Sequence, residues 1–368
     1  MEKVVVGMSG GVDSSVAAYL LQKEGYEVLG VTMKMWNEEG CLAASAAVTD
    51  ARHVADYLGI KHETLEFGEQ FKECIVQNFI EEYYQCRTPN PCVRCNRYLK
   101  WEALLDWART HGANKIATGH YARICHTPDG RLAVRLASNA TKDQTYALYR
   151  LTQEQLASTL MPIGKYEKRE VRELAREAGI PVFDKPDSQD ICFIPDGNYA
   201  SFIQRNSAVV TATLGQDGFR EGNFVLTDGT VLGKHKGLVH YTIGQRKGLG
   251  IAYGEPVFVT QLKPETNEVV LGANADVFAQ ALIAGELNWM GIEGAEEELH
   301  CLAKIRYAHK GSLCTVKRVR DNQVKVIFIE PQRAITPGQS VVFYSMDGEE
   351  ERYVLGGGII QRACDAKE

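Results

Sequence analysis

VVVGMSGGVDSSVAAYLL, residues 4–21, reads as strand, glycine loop and helix in direct succession. Val4, Val5 and Val6 form a β-branched run that suits a strand buried on both faces. Gly7, Gly10 and Gly11 follow, and Asp13, Ser14 and Ser15 offer capping groups for an apolar helix ending near Gly25. A glycine loop that opens a helix aims several backbone N–H groups and the positive helix end at one point, which favours a phosphate there. Two common phosphate loops are excluded. No Gly-Lys-Ser/Thr closes this one, and its glycines do not fit G-x-G-x-x-G.

Outward from that stretch, the pattern alternates. A strand is expected over 26–35 (YEVLGVTMKM), a helix over 43–58 ending at Gly59, and a strand over 61–67. Then come a helix over 69–84, a loop over 86–96, a helix over about 98–111 closed by Gly112, and a strand over 115–118. Helical patterns return over 152–160 and 168–178, and a loop over 187–193 follows them. Such alternation predicts an α/β fold with a doubly wound parallel sheet, which binds ligands at the carboxyl ends of its strands. The glycine loop, Met33, and Gly119-His120 all fall on that edge. Beyond about residue 206 the texture changes to short β-type runs, with turn signals such as Asp228-Gly229, Pro337-Gly338 and Asp347-Gly348 between them. Three domains are expected: 1–205, a small central α+β domain over 206–275, and a C-terminal β-barrel over 276–368.

Length and composition agree. A chain of 368 residues, 45% hydrophobic and 24% charged, suits a soluble protein of two or three domains. No apolar run approaches about 20 residues, so no membrane span is expected. The chain runs almost directly into a strand, which leaves no room for a signal peptide and points to the cytoplasm. A net charge of −6 gives no general pull on nucleic acid, although an acidic body can carry a local basic surface.

Ten cysteines in a long chain with a nucleotide loop point to a reducing compartment and free thiols. Two sites stand out. In RTPNPCVRCN, residues 87–96, two prolines hold Cys92 and Cys95 in an extended loop. The helix that follows, with Arg94 and Arg97, is expected to lower the pKa of Cys95. The second site is Cys192, in a polar loop beside Asp187 and Asp190. A lone C-x-x-C is compatible with half a zinc site, a redox pair, or sulfur or iron–sulfur chemistry with Cys192 as a third thiol. Cys41, Cys74, Cys86, Cys125, Cys301, Cys314 and Cys364 are expected to be inert.

Ser9 to Ser14, SGGVDS, resembles the SGGxDS pyrophosphate loop (PP-loop) of ATP pyrophosphatases, the adenine nucleotide alpha hydrolase-like enzymes that split ATP between its α- and β-phosphates. With RTPNPC-x-x-CN, ATGHYAR, KDQTYAL, DSQDICFI and YTIGQRKGLG in this order, nearly the whole chain resembles the tRNA-specific 2-thiouridylases. That resemblance implies an ATP-dependent sulfurtransferase acting on C2 of the wobble uridine of tRNAs for Lys, Glu and Gln. It implies ATP with Mg2+ on Gly7, Met8, Ser9, Gly10, Gly11, Val12, Asp13, Ser14, Met33 and Gly119. Asn90, Pro91 and Cys92 would border the target base. His120, Lys142, Asp143, Gln144, Arg306, Tyr307 and Gln339 would meet the tRNA. Cys192 would carry a persulfide received from a cysteine desulfurase or sulfur-relay protein, and Cys95 would release the sulfur by forming a disulfide with Cys192. Many members of the family carry Asp where this chain has Cys92, and that Asp is given an acid/base role; Cys92 is thereby a third catalytic candidate beside Cys95 and Cys192, one that would shuttle protons as a thiolate. Cys92, Cys95 and Cys192 together would also suffice for an iron–sulfur cluster with one open iron.

Two other classes are weighed. An adenylating ligase of the GMP-synthetase or argininosuccinate-synthase type explains SGGVDS but not the cysteine loops. A catalytically silent RNA-binding protein explains the barrel but not intact Ser9, Asp13, Cys95 and Cys192. A 4-thiouridine synthetase shares the loop, but no RNA-capture region is found ahead of residue 4.

Overall fold

The computed structural model describes residues 1–35, 42–187, 191–207, 217–295 and 298–367; Cys41, Ser188, Gln189 and Asp190 lie outside the described residues. Strand β1 (Lys3–Gly7) holds Val4, Val5 and Val6 fully buried, as their β-branched run requires. It is followed in the chain by β2 (Glu27–Lys34), β3 (Lys61–Glu66) and β4 (Lys115–Thr118). A hairpin of β5 (Arg123–His126) and β6 (Leu132–Arg135) comes next, and then the short β7 (Thr159–Leu160). Five of these make one parallel sheet in the order β3-β2-β1-β4-β7. Side chains on β1 alternate between two cores. Val4 and Val6 pack with α1 (Val12–Lys23), α2 (Leu42–Leu58) and helix Lys168–Glu177, whereas Val5 packs with Leu104, Leu105 and Ala108 on the opposite face. The sheet is doubly wound, as expected.

Three local readings need correction. The expected loop 86–96 is helical from Pro91 onward. Asn90 caps this helix, and Pro91 occupies the first helical position, where its missing N–H costs nothing. Helix Pro91–Cys95 runs on through the π-helical Asn96–Ala103 into Leu104–Thr110. Secondly, the pattern over 152–160 is helical only over Gln153–Ala157, and its end pairs with β4 as a strand. Thirdly, no side chain caps α1: Gly11 stands at its N-cap, and Ser14 and Ser15 donate to the Gly11 carbonyl instead.

The central region is a four-stranded sheet, β10-β11-β8-β9, made of β8 (Gly222–Leu226), β9 (Val231–His235), β10 (Phe258–Lys263) and β11 (Glu268–Gly272). Where an α+β unit is expected, its described residues 217–277 carry only 3-10 turns besides the strands. Six strands then close the barrel β12-β15-β14-β13-β16-β17: β12 (Phe278–Trp289), β13 (Glu298–Lys304), β14 (Ser312–Arg320), β15 (Gln323–Arg333), β16 (Ser340–Tyr344) and β17 (Val354–Cys364). Met290, Val342, Tyr344 and Val354 of this region pack into the same core as Val5 and Trp101, so the barrel is seated on the parallel-sheet domain. No helix among the described residues is long and apolar enough to cross a membrane.

Candidate active site

The glycine loop leaves β1 at its carboxyl end and turns directly into α1. Gly10 has φ +69°, and a Cβ there would lie 2.4 Å from the Ala47 carbonyl oxygen, so glycine is required twice over. Ser14 Oγ accepts from the Ser9 N–H at 3.1 Å and closes the loop into a ring. Gly119, one residue past β4, is the tightest neighbour: a Cβ there would lie 2.5 Å from the Ser14 nitrogen. Met33, at the end of β2, is half-buried between the Val5 core and the Phe71–Phe79 cluster. The loop, Met33 and Gly119 therefore share the sheet's carboxyl edge, as the alternating pattern predicts.

Asp13 points away from the helix it would cap. Both its carboxylate oxygens accept from Lys168 Nζ, at 2.7 and 2.8 Å, and one also accepts from the Tyr121 hydroxyl at 2.8 Å. Lys168 in turn pairs with Asp187 at 2.8 Å, and Asp187 also takes Lys142 at 2.8 Å and Arg172 at 3.0 Å. Lys185 donates to the Gly10 carbonyl at 2.9 Å and pairs with Asp50. Burial alone would raise the Asp187 carboxyl, but hydrogen bonds and charge from Lys142 and Lys168 bring it down to about 2.

The thiols lie on a second wall. Cys92 and Cys192 are exposed, while Cys95 is buried among Phe71, Phe79, Leu99 and Ile194. Phe193 fixes the Cys192 loop by packing on Phe71, Phe79 and Phe202 at centroid distances of 5.2–5.5 Å. Burial pushes the Cys95 thiol up to about 12; Lys100 draws it down, and Cys192 and Cys92 add to the rise. Cys192 is also raised, first by the protein around it and then by Cys92. Cys95 and Cys192, nearly 100 residues apart in sequence, thus both feel Cys92. The expectation that Cys95 has a lowered pKa is wrong, because it sits inside a running helix and in an apolar core, not at a helix start. Arg94 and Arg97 do not relieve it: Arg94 donates to the Cys74 carbonyl, Arg97 pairs with Glu102, and both lie against Tyr98. Among the described residues no three His, Cys, Asp or Glu side chains are placed to hold a metal ion. One buried and two exposed thiols, as they stand, do not fit an iron–sulfur cluster, and no step is derived through one.

A family model described as a tRNA methyl transferase HUP domain matches residues 2–196; a tRNA methyl transferase PRC-barrel domain matches 211–273, and an aminomethyltransferase beta-barrel domain matches 279–360. A tRNA-specific 2-thiouridylase MnmA of Lachnoclostridium phytofermentans is 54% identical over 98% of this chain and 99% of its own. The MnmA of Clostridioides difficile is 50% identical over the same shares. The chain belongs to the tRNA-specific 2-thiouridylase family. A solved 4-thiouridine synthetase in complex with RNA and ATP aligns with a TM-score of 0.36 at 18% identity, over 55% of this chain and 50% of that one.

As a 2-thiouridylase family member, the chain is an ATP-using tRNA sulfurtransferase, and its remaining expected site residues divide into three sets. Asn90 caps the cysteine helix, Pro91 is buried at its start, and Cys92 stands exposed beside them. Tyr307 comes from the barrel to the same place: burial, Asp143 and Cys92 all raise its hydroxyl pKa. Gln339 donates to the carbonyls of Thr88 and Pro89 at 3.0 and 3.3 Å, so it braces the cysteine loop. Arg306 is exposed and donates to the Arg333 carbonyl. Asp143 is turned inward, accepting from Ala137 N–H and Thr145, and Gln144 holds both sides of the Tyr121 backbone. His120 is half-buried, bonds Thr118 at 2.8 Å and lies against Trp101; burial first, then Lys100, holds its pKa well below the ordinary value.

Sequence reasoning misses Lys100, Lys168, Arg172 and Lys185. Lys100 is felt by Cys95, Cys192 and His120 alike. It lies five residues after Cys95 on the π-helical stretch, a spacing that places it near the thiol but leaves no motif to read.

Proposed function

We propose that this chain adenylates the C2 oxygen of the wobble uridine in tRNAs for Lys, Glu and Gln, and replaces that oxygen with sulfur. The observation that carries the proposal is that Cys92 and Cys192 stand exposed, and Cys95 buried beside the Cys192 loop, on the same domain as an intact SGGVDS loop. In the first step the uridine C2 oxygen attacks the α-phosphorus of ATP, the bond to the β-phosphate oxygen breaks, and pyrophosphate leaves. The glycine loop, the start of α1, Met33 and Gly119 hold ATP, and Asp13 takes its Mg2+, which offsets phosphate charge. Asn90, Pro91 and Cys92 border the extruded base. His120, Lys142, Asp143, Gln144, Arg306, Tyr307 and Gln339 form or support the tRNA surface.

In the second step a persulfide on Cys192 supplies sulfur. Its outer sulfur bonds to C2, AMP leaves with the former C2 oxygen, and Cys95 attacks the inner sulfur. A Cys95–Cys192 disulfide forms as the transferred atom is reduced to the sulfide level, and a cellular thiol must reduce that disulfide before the next cycle. Exposed Cys192 suits loading by a cysteine desulfurase or sulfur-relay protein in the cytoplasm, and buried Cys95 stays a neutral thiol until the complex forms. Cys92 is not the Asp that many relatives carry, and we assign it to the base pocket without a proton-transfer role. The proposal includes domain limits near residues 205 and 275.

The test is single-turnover thiolation of a tRNA for Glu by full-length protein loaded with a cysteine desulfurase and cysteine, with iron counted in the same sample. Iron-free protein is expected to yield one 2-thiouridine, one AMP and one pyrophosphate per turnover, and Cys192→Ser none. Activity that appears only with bound iron overturns the persulfide relay. ADP and phosphate as products overturn the adenylation step.

A further inference from the structure

One carboxylate has two oxygens, yet three cations converge on Asp187: Lys142 and Lys168 at 2.8 Å and Arg172 at 3.0 Å. Lys168, only 14% exposed, bridges from Asp187 to both oxygens of Asp13, inside the glycine loop's first helical turn. A fourth cation, Lys185, lies on the loop itself at the Gly10 carbonyl. The four cations face three carboxylates, Asp13, Asp50 and Asp187, so the cluster keeps one net positive charge beside a helix N-terminus that no side chain caps. Two phosphate-binding devices therefore adjoin: backbone N–H groups on one side, ammonium and guanidinium groups on the other.

We propose that Lys168 and Arg172, with Lys142 at the exposed rim between this subsite and the tRNA surface, form the cationic half of a pyrophosphate subsite, in which the Asp187 carboxylate stands in for the anion until ATP arrives. This rests on reading SGGVDS as an ATP pyrophosphatase loop and deepens that reading. A diphosphate offers more oxygens and more charge than one carboxylate, so it satisfies the three donors better. When the bond between the α-phosphorus and the bridging oxygen breaks, negative charge grows on the departing pyrophosphate. Lys168 lies where it can meet that charge, because it already touches the loop through Asp13. Displacement of Asp187 leaves its carboxylate to water.

Binding of inorganic pyrophosphate and, separately, of AMP to the full chain without tRNA tests the subsite, by calorimetry. Lys168→Gln and Arg172→Gln should each weaken pyrophosphate about tenfold or more, the worth of one charge-assisted hydrogen bond, and leave AMP binding unchanged. Lys168→Arg should recover most of the loss. Asp187→Asn is the deciding variant: with the internal competitor weakened, pyrophosphate should bind several-fold tighter, whereas a merely structural ion network would make it bind worse. Lys142→Gln, at the exposed end, serves as a second removal variant if Lys168→Gln melts early. Unchanged pyrophosphate affinity in the Gln variants, or weaker binding in Asp187→Asn, overturns the subsite. Since no arm uses tRNA thiolation, failure of the proposed reaction and failure of the subsite are separately visible.

Discussion

At the residue scale, burial decides what each thiol and carboxylate can do. Cys92 and Cys192 are exposed and Cys95 is not, and burial holds Cys95 as a neutral thiol with a pKa of about 12. Brief alkylation of the free protein with iodoacetamide at pH 8, followed by peptide mapping, should label Cys92 and Cys192 first. Cys95 should lag by about tenfold or more, since the thiolate is the reactive form. Equal labelling of all three would mean that the Cys95 core opens readily. Asp187 gives a prediction of opposite sign. Its folded pKa of about 2 lies below the ordinary aspartate value of 3.8, so its pairing stabilises the fold fully above pH 4 and is lost as pH falls toward 2. Asp187→Asn should therefore flatten the acid limb of the stability profile between pH 4 and 2, as followed by urea midpoints. Neither residue's state was legible in the chain. SGGVDS could be read because a loop's chemistry is local; the Cys95 environment depends on Phe71 and Ile194, and the grip on Asp13 comes from Lys168, 155 residues away.

At the scale of elements, the readable parts are those whose pattern is repeated along the chain. Val4–Val6, the ten residues of YEVLGVTMKM and the apolar run of α1 carry their signal in composition and length, bounded by glycines, and each forms where expected. The helix through Cys92 and Cys95 looks like a loop in sequence because Pro89 and Pro91 resemble loop punctuation, although a proline at a first helical position is a start signal. Gly119 is the contact that locks elements together at the site, where the exit of β4 meets the first turn of α1. Gly119→Ala should push that turn aside, lowering stability by about 1–3 kcal/mol, the usual range for overpacking. ATP affinity should fall with it, because the N–H groups of α1 move. The two are measured by urea denaturation and by nucleotide titration. Wild-type ATP affinity in Gly119→Ala would show that the helix start does not bind the nucleotide.

At the scale of the whole molecule, three regions of different texture were legible, but not their assembly. The barrel is announced by turn signals and alternating runs, whereas its seat is made by contacts no local pattern reports. The Thr88 N–H donates to the Pro337 carbonyl at 2.8 Å, Tyr146 donates to the Ser340 carbonyl at 2.8 Å, and Asn288 donates to the Tyr149 carbonyl at 2.7 Å. Beneath them one apolar core joins Val5 and Trp101 to Val342 and Tyr344. A barrel that shares its core with the parallel sheet holds the cysteine loop and the Tyr307 side in fixed relation, which a base pocket built from both requires. Shared burial also makes their stabilities one quantity. Val342→Ala, a cavity in β16, should cost about 2 kcal/mol or more. That loss should lower hydrogen-exchange protection by the same factor in β16 and in distant β1. The central sheet, with its separate core around Phe224 and Val259, should lose less. If β1 protection stayed at its wild-type level while β16 opened, the barrel would be an independently folding attachment, and the base pocket would have to assemble only when tRNA binds.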